Sequence, residues 1–430
     1  MKTRATKQKQ DLGMMIFAAA FVIIGLYLRD ISGININKFI FLAVVAVPIF
    51  ALSANRFVVF SSFLIPLYVG LPGNYVSLCI LLRLLKELLD GRIRYSLIPL
   101  LLTLVATGYL MLQNILTGYT EIYNIMGAAD FVTLMLLVYV TLQRRETDNV
   151  ILAFLVGVTA MGLIMLINTL QYYDLQELMS SSSRLGDTKE LGQNSAYGMV
   201  ITIDPNFYGM NVMAAVSASV NILQLKPTSR NKKIMVVSMS VTAIICAMIG
   251  LSRAFVLALI AWGVVLIFLQ GKVKNFLTLL VCVSIFAVVF TMAFPNVVEG
   301  FLNRFAGEDM EGFNGRSGLM EKHYNNWIAN LGTMLFGIGL YGCNVHCMQL
   351  RYLFGMGALG GAVVFAWFWR LIKMSSINGA PAGLKRWVPF VITFVLCAAI
   401  PSAGCMDATF PLVVSIMALS LNGRNETEYK

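Results

Sequence analysis

The sequence predicts an all-α fold: a polytopic integral membrane protein of about 12–14 transmembrane helices, with a large late outer loop containing short helices. Two observations predict it. The 430-residue chain is 58% hydrophobic and only 12% charged, with a mean hydropathy of +0.77, whereas soluble domains carry about a quarter charged residues. A water-soluble fold of this length could not keep its surface hydrated with so few charges. The apolar residues also fall in runs near the hydrocarbon length of about 20 residues, and Lys and Arg punctuate those runs.

The elements follow in order. The run 12–28 comes after Lys9 without a small-residue cleavage site, so it reads as a first span rather than a cleavable signal. Runs 39–54 and 57–71 flank Arg56, runs 75–90 and 97–116 flank Arg92 and Arg94, and runs 128–142 and 150–170 flank Arg144 and Arg145. Beyond the segment 171–205, runs 206–225 and 234–251 flank Lys226, Arg230, Lys232 and Lys233, and runs 254–269 and 276–294 flank Lys272 and Lys274. After the segment 295–346, runs 347–372 and 387–403 flank Lys373, Lys385 and Arg386, and the run 408–421 leads to Arg424 and Lys430. Runs 57–71 and 408–421 are short, which sets the lower limit of twelve. No internal repeat or low-complexity stretch divides the chain, so residues 1–430 form a single transmembrane domain.

Charge fixes the orientation. With the N-terminus (Lys2, Arg4, Lys7, Lys9) inside and the spans alternating, every one of those basic loops falls on the same side. Cytoplasmic loops accumulate Lys and Arg, so both termini are expected in the cytoplasm of a multi-pass protein embedded in a lipid bilayer. The net charge of +11 is therefore a topology signal and not a nucleic-acid signal, because the basic residues form no separate domain. Seven cysteines, scattered at 79, 246, 282, 343, 347, 397 and 405, give no disulfide framework. No phosphate-binding loop, serine-nucleophile elbow, HExxH helix or dinucleotide fingerprint is present. Acids deep in several spans, the mark of proton-coupled carriers, are also missing. Asp130, near an outer span end, is the main exception, and Glu87 has Arg83 and Lys86 on its own helix for pairing.

This topology leaves two long segments on the outer face, 171–205 and 295–346, where connections between elements are usually only a few residues. Both histidines, His323 and His346, lie in the second. Arg184 (SSSRLGD), Arg253 (GLSRAF, at the outer end of a span) and Arg316 (FNGRSG) can each fork two donors toward a phosphate or carboxylate. A surface salt bridge is the plain alternative for each. It is weakest for Arg253, because a charge costs about 2.5–3.5 kcal/mol at mid-membrane, less at the boundary, and so faces a cavity. Asp204 and Pro205 read as the N-cap and first residue of a helix, and Asp204 and Asn206 also present polar groups at the outer mouth.

The stretch from Trp327 to Gly361 contains Phe336-Gly337-Ile338-Gly339, a close-approach backbone, and Gly357 with Gly361, a GxxxG pair suited to helix packing. His346 stands at the mouth of that span, placed to move a proton or to donate to a leaving phosphate. His323 lies mid-loop without such a setting. Cys343, His346 and Cys347 raise zinc as an option, but a fourth ligand would have to come from Cys405 or Asp407, and no metal is expected. A local Cys343–Cys347 bridge stays open.

Taken in order, Arg184, Asp204-Pro205-Asn206, Ser252-Arg253, Arg316, Trp327, Gly337-Ile338-Gly339 and His346 resemble the motifs of the O-antigen polymerase (Wzy-type) and O-antigen ligase superfamily of membrane glycosyltransferases. The similarity covers roughly residues 180–365. Where the family often has His followed by Asn, Cys347 follows here and Asn344 precedes. The resemblance implies transfer of a glycan from undecaprenyl pyrophosphate to a sugar hydroxyl on the outer, periplasmic face of a bacterial cytoplasmic membrane, without metal or other cofactor. The acceptor would be a second lipid-linked repeat unit in a polymerase building O-antigen, capsule or exopolysaccharide, or the lipid A core in a ligase. It implies catalytic roles for His346 and Arg316, and substrate binding by Arg184, Arg253, Asp204, Asn206 and Trp327. Partners would be the undecaprenyl-pyrophosphate-linked oligosaccharide and the chain-length regulator and flippase of the same pathway. A lipid-linked oligosaccharide flippase or other transporter is the reading from another class. Against it stands the gathering of polar candidates on one face, where a carrier places them near the midplane.

Overall fold

The computed structural model describes residues 2–171, 205–249, 252–270, 316–377, 383–400 and 406–421, together with 288, 291, 292, 295 and 299. Every regular element among the described residues is helical, and the fold is that of an all-α polytopic membrane protein. The helices are α1 (Lys2–Asp30), α2 (Lys38–Ala51), α3 (Ala54–Leu64), α4 (Gly73–Leu89), α5 (Leu97–Leu116), α6 (Ile122–Arg144), α7 (Thr147–Leu170), α8 (Pro205–Leu225), α9 (Arg230–Ile249), α10 (Arg253–Gln270), α11 (Arg316–Ile328), α12 (Leu331–Phe336), α13 (Met348–Ile377), α14 (Leu384–Leu396) and α15 (Met406–Met417). Each expected span except 276–294, which lies almost wholly outside the described residues, coincides with a helix.

Among the described residues, six helices are long and apolar enough to cross a membrane: α1, α5, α6, α7, α9 and α13. Others are cut short for local reasons. Helix α2 carries Pro48 in its interior and stops at Leu52, whose backbone turns extended. Helix α3 tightens into a 3-10 turn, Ile65–Gly70, where Pro66 offers no backbone N–H to continue the α ladder. Helix α1 runs further than its apolar segment because Lys, Arg, Gln and Ala before Leu12 are all good helix formers. Helix α6 starts earlier than residue 128, taking Asn124 into the bundle as a fully buried residue.

Burial separates an inner from an outer ring. The apolar windows of α6 and α7 are 78% and 72% buried, against 28% for both α1 and α9, whose remaining faces are apolar and lipid-directed. At the centre stands α8, in which every residue from Asn206 to Ser219 is buried. It packs on α7, α9, α10, α14 and α15. Small residues make this possible: Gly162 of α7 leaves the space that the Tyr208 ring fills, and a Cβ on Gly209 would lie 2.8 Å from Phe255 of α10.

Cross-links at the two ends of the bundle respect the up-and-down alternation. At one end Arg29 donates to Gly70 O (2.7 Å) and Gln171 to Ile31 O (3.0 Å). At the other, Lys226 pairs with Asp148 at 2.7 Å, Asn221 donates to Lys385 O at 2.8 Å, and Thr147 meets Ser420 at 3.1 Å. This second end carries the basic loops and is called the basic end below. Buried charges within the bundle are paired or hydrogen-bonded, as low-dielectric surroundings demand. Arg83 meets Glu87 at 2.7 Å one helical turn on, and Ser77 donates to Asp130 at 2.8 Å.

Candidate functional site

Opposite the basic end, two of the motifs separated by half a hundred residues in sequence come into contact. Helix α8 starts at Pro205, whose fixed φ suits the first helical position. Ser252 precedes α10, and its hydroxyl accepts from Phe255 N (3.2 Å), capping that helix. The same hydroxyl donates to Asn206 Oδ1 at 2.6 Å, and both residues are buried. The two helix N-termini are therefore fastened to each other, with Gly209 leaving room for the Phe255 ring beneath them. Arg253 is the first residue of α10, half-buried, with no ion pair among the described residues. A cation at a helix N-terminus opposes the helix dipole. An anion arriving there would be welcomed by the guanidinium and by both helix ends.

The second half of the site is built on α11, α12 and the strap 337–347. Asn330 starts α12 with a capping box: its Oδ1 accepts from Thr333 N (2.9 Å) while its own N–H donates to Thr333 Oγ1 (3.3 Å). Gly337 ends α12 in the left-handed region (φ +86°), and the strap then crosses α13. There α13 is broken. Gly357 has φ +73° and ψ 178°, so the helix opens in mid-course and releases carbonyls that lipid cannot satisfy. The strap and α5 supply the donors. Ile338 N reaches Phe354 O and Gly339 N reaches Gly355 O, each at 3.0 Å. Tyr109 OH donates to Met356 O at 2.7 Å, and Gln113 Nε2 donates to Phe336 O at 2.7 Å and to Gly355 O.

The glycine-rich strap thus makes the close approach expected of it, whereas the GxxxG reading of Gly357 and Gly361 is corrected. Gly357 serves a backbone break, not a helix–helix contact. The close helix approach is made by Gly360, against the Tyr109 ring.

His323, on α11, is buried, and its Nε2 accepts from the Asn344 amide at 3.3 Å. Burial first, and then the charges of Lys322 and Arg351, hold this imidazole below the usual histidine range. His346 follows two residues after Asn344, half-buried at the mouth of α13. Arg351, in the first turns of α13, donates its Nε to Leu340 O (3.1 Å). Trp327 stacks on Phe354 (centroids 5.1 Å apart, 29° between planes), and its indole N–H donates to Met334 O at 3.1 Å. It helps close a small core with Cys343, Val345 and Phe354, so both its face and its donor serve the loop itself.

The two halves share one wall. Cys397, in the 3-10 turn after α14, contacts Met210 Sδ of α8 at 3.6 Å, one turn below Asn206. Gln349 of α13 donates to Phe394 O of α14 at 2.7 Å. The structure thus brings Asn206 directly onto Ser252-Arg253 and His323 onto the Asn344–His346 strap, with the end of α14 joining them. Arg184 and Asp204 lie outside the described residues. Arg316 is seen as the first residue of α11, and its side chain lies outside the description. Cys343 and Cys347 are free thiols, and no three His, Cys, Asp or Glu side chains converge as a metal site among the described residues.

Sequence reasoning undervalued His323 and Arg351. For His323 a signal existed: it lies seven residues after Arg316, two turns along the same face of α11. For Arg351 no spacing could have shown that α13 would carry it toward His323. No protein-family model and no curated protein sequence matches this chain.

Proposed function

We propose that the chain is a membrane glycosyltransferase that polymerises undecaprenyl-pyrophosphate-linked oligosaccharide repeat units of an O-antigen, capsule or exopolysaccharide. The reaction takes place on the outer face of the bacterial cytoplasmic membrane, with both termini in the cytoplasm. The observation that carries this reading is the Ser252–Asn206 hydrogen bond. It unites two pieces of the motif set that lie 46 residues apart, and it sets Arg253, which has no ion pair among the described residues, at two adjoining helix N-termini. That arrangement suits a pyrophosphate.

In the reaction a hydroxyl of the acceptor sugar attacks the anomeric carbon of the donor glycan. The new C–O bond forms as the bond to the pyrophosphate oxygen breaks, and the acceptor proton leaves. Charge grows on the departing pyrophosphate, so fixed cations aimed at it lower the barrier. Arg253 at the α10 N-terminus, with Arg184 and Arg316 from the two outer segments, takes this role. His346 at the mouth of α13 accepts the acceptor proton or holds the phosphate. His323 has its Nε2 committed to the Asn344 amide and acts by positioning the strap that carries His346. The lipid-facing helices provide a lateral route for the prenyl tail.

The test is made in cells. The gene is deleted and complemented with wild type, Arg316→Ala or His346→Ala, and the surface glycan is sized on a gel. Polymerisation is supported by a single-repeat product that wild type extends and the variants do not. Full-length chains left on undecaprenyl pyrophosphate would instead identify a ligase. If no repeat unit reached the outer face, the flippase reading would replace this one.

A further inference from the structure

At the basic end, far from the site above, a cavity of about 370 Å³ opens between the end of α2, the start of α3, α4 and the last turn of α6. Its volume lies in the range of small-molecule sites, about 300–1,000 Å³. Three arginines line it, Arg83, Arg92 and Arg144, against one carboxylate, Glu87. Glu87 is shared, at 2.7 Å from Arg83 and 3.5 Å from Arg92, and Arg92 also lies 3.5 Å from the half-exposed Asp90. Arg144 has no ion pair among the described residues. Two further acids stand beside the lining and are occupied: Asp11 accepts from the Ser53 amide at 3.3 Å, and Glu146 accepts from the side-chain amides of Asn55 and Asn149, each at 2.7 Å.

Two further features face the cavity. The N-terminus of α3 opens into it at Ser53, Ala54 and Asn55, and Ser53 makes no side-chain cap bond. The unused amides of that first turn favour an anion. Arg83 is 94% withdrawn from solvent by its relative exposure of 6%. Its Nη atoms are committed to Phe50 O (3.3 Å) and Leu52 O (3.1 Å), yet its buried Nε–H has no acceptor among the described residues. The buried Arg83 charge adds to the positive potential of the cavity wall.

We propose that this cavity binds a phosphate group, held by the α3 first turn, Arg92 and Arg144 beside the buried charge of Arg83. At the level of the basic loops, the phosphate of an anionic phospholipid headgroup is one source and soluble phosphate is the other. The site is independent of the glycosyltransferase reading.

The full chain is placed in nanodiscs of phosphatidylcholine, with or without phosphatidylglycerol, and in phosphatidylcholine discs titrated with inorganic phosphate. Thermal unfolding and native mass spectrometry of retained lipid are the readouts. Stabilisation by phosphatidylglycerol alone identifies a headgroup site, and stabilisation by inorganic phosphate identifies a soluble one. Either supports the site, provided that Arg92→Gln and Arg144→Gln each weaken binding about fivefold. These exposed arginines are chosen because loss of the buried Arg83 would disturb folding. The variant Lys232→Gln, of equal charge change at the same end of the bundle, is expected to bind normally. Equal weakening in that control would overturn the proposal, as would the absence of protection by either phosphate source.

Discussion

The backbone amide of Asn344 donates to Nε2 of His323 across 3.3 Å, tying an amphipathic helix at the far end of the bundle to the strap that ends in His346. The bond exists only while Nε2 is an unprotonated acceptor. Since burial and two neighbouring cations hold the imidazole below its usual range, it is neutral at physiological pH.

The pH dependence follows from the sign of that shift. The folded-state pKa is depressed below the unfolded 6.5, so the unfolded chain binds the proton first. The contribution to stability is present above about pH 6.5 and is lost as the pH falls through the folded value. The protection factors of the strap amides against hydrogen exchange, taken relative to the intrinsic rate at each pH, are expected to fall as the pH is lowered below 6.5. His323→Gln, which keeps an acceptor near the Nε2 position but cannot titrate, is expected to flatten that profile. An unchanged profile in this variant would assign the transition to another group.

Ser252 makes two buried bonds with one hydroxyl, as cap of α10 and as donor to Asn206. Ser252→Ala is expected to cost about 2 kcal/mol, the sum of a helix cap and a buried hydrogen bond. Ser252→Thr should restore most of it. Thermal unfolding in detergent checks both, and a melting temperature indifferent to Ser252→Ala would show that the two helix starts are held by packing alone.

Glycines four residues apart in α13 are expected to behave oppositely. At Gly357, φ is +73° and an added Cβ would strike the Leu335 and Gly337 backbone, so Gly357→Ala should cost more than about 2 kcal/mol. At Gly361 the nearest atom to an added Cβ is Leu353 Cα at 3.4 Å, so Gly361→Ala should be nearly neutral. Expression level and unfolding temperature of the two variants give the comparison. Equal damage would return the pair to a helix-packing role.

Arg253 tests the proposed chemistry with little structural cost, because no ion pair among the described residues depends on it. Arg253→Ala is expected to lower polymer formation about 10²-fold while leaving the unfolding temperature near that of wild type. Arg253→Lys keeps the charge but not the fork, and should recover part of the loss. Full activity in Arg253→Ala would remove this residue from the site.

Hydropathy and the spacing of Lys and Arg were enough to determine the all-α membrane fold, the position of nearly every helix, and the placement of α5 to the residue. A bilayer enforces this: a span must be apolar over a fixed length, and its backbone must satisfy itself in a helix. The start of α8 at Pro205 and the Arg83–Glu87 pair were legible for a similar reason, since each depends on neighbours within a turn of chain. The tertiary structure alone decided which helix is central, that Gly357 breaks α13, and that Tyr109 and Gln113 repair the break. It also decided that His323 holds the strap leading to His346, that Trp327 stacks on Phe354 of α13, and that three arginines line a cavity at the α3 N-terminus. These relations join residues tens to hundreds of positions apart. Local sequence fixes which groups need a partner, and only the packing of one helix on another determines where that partner is found.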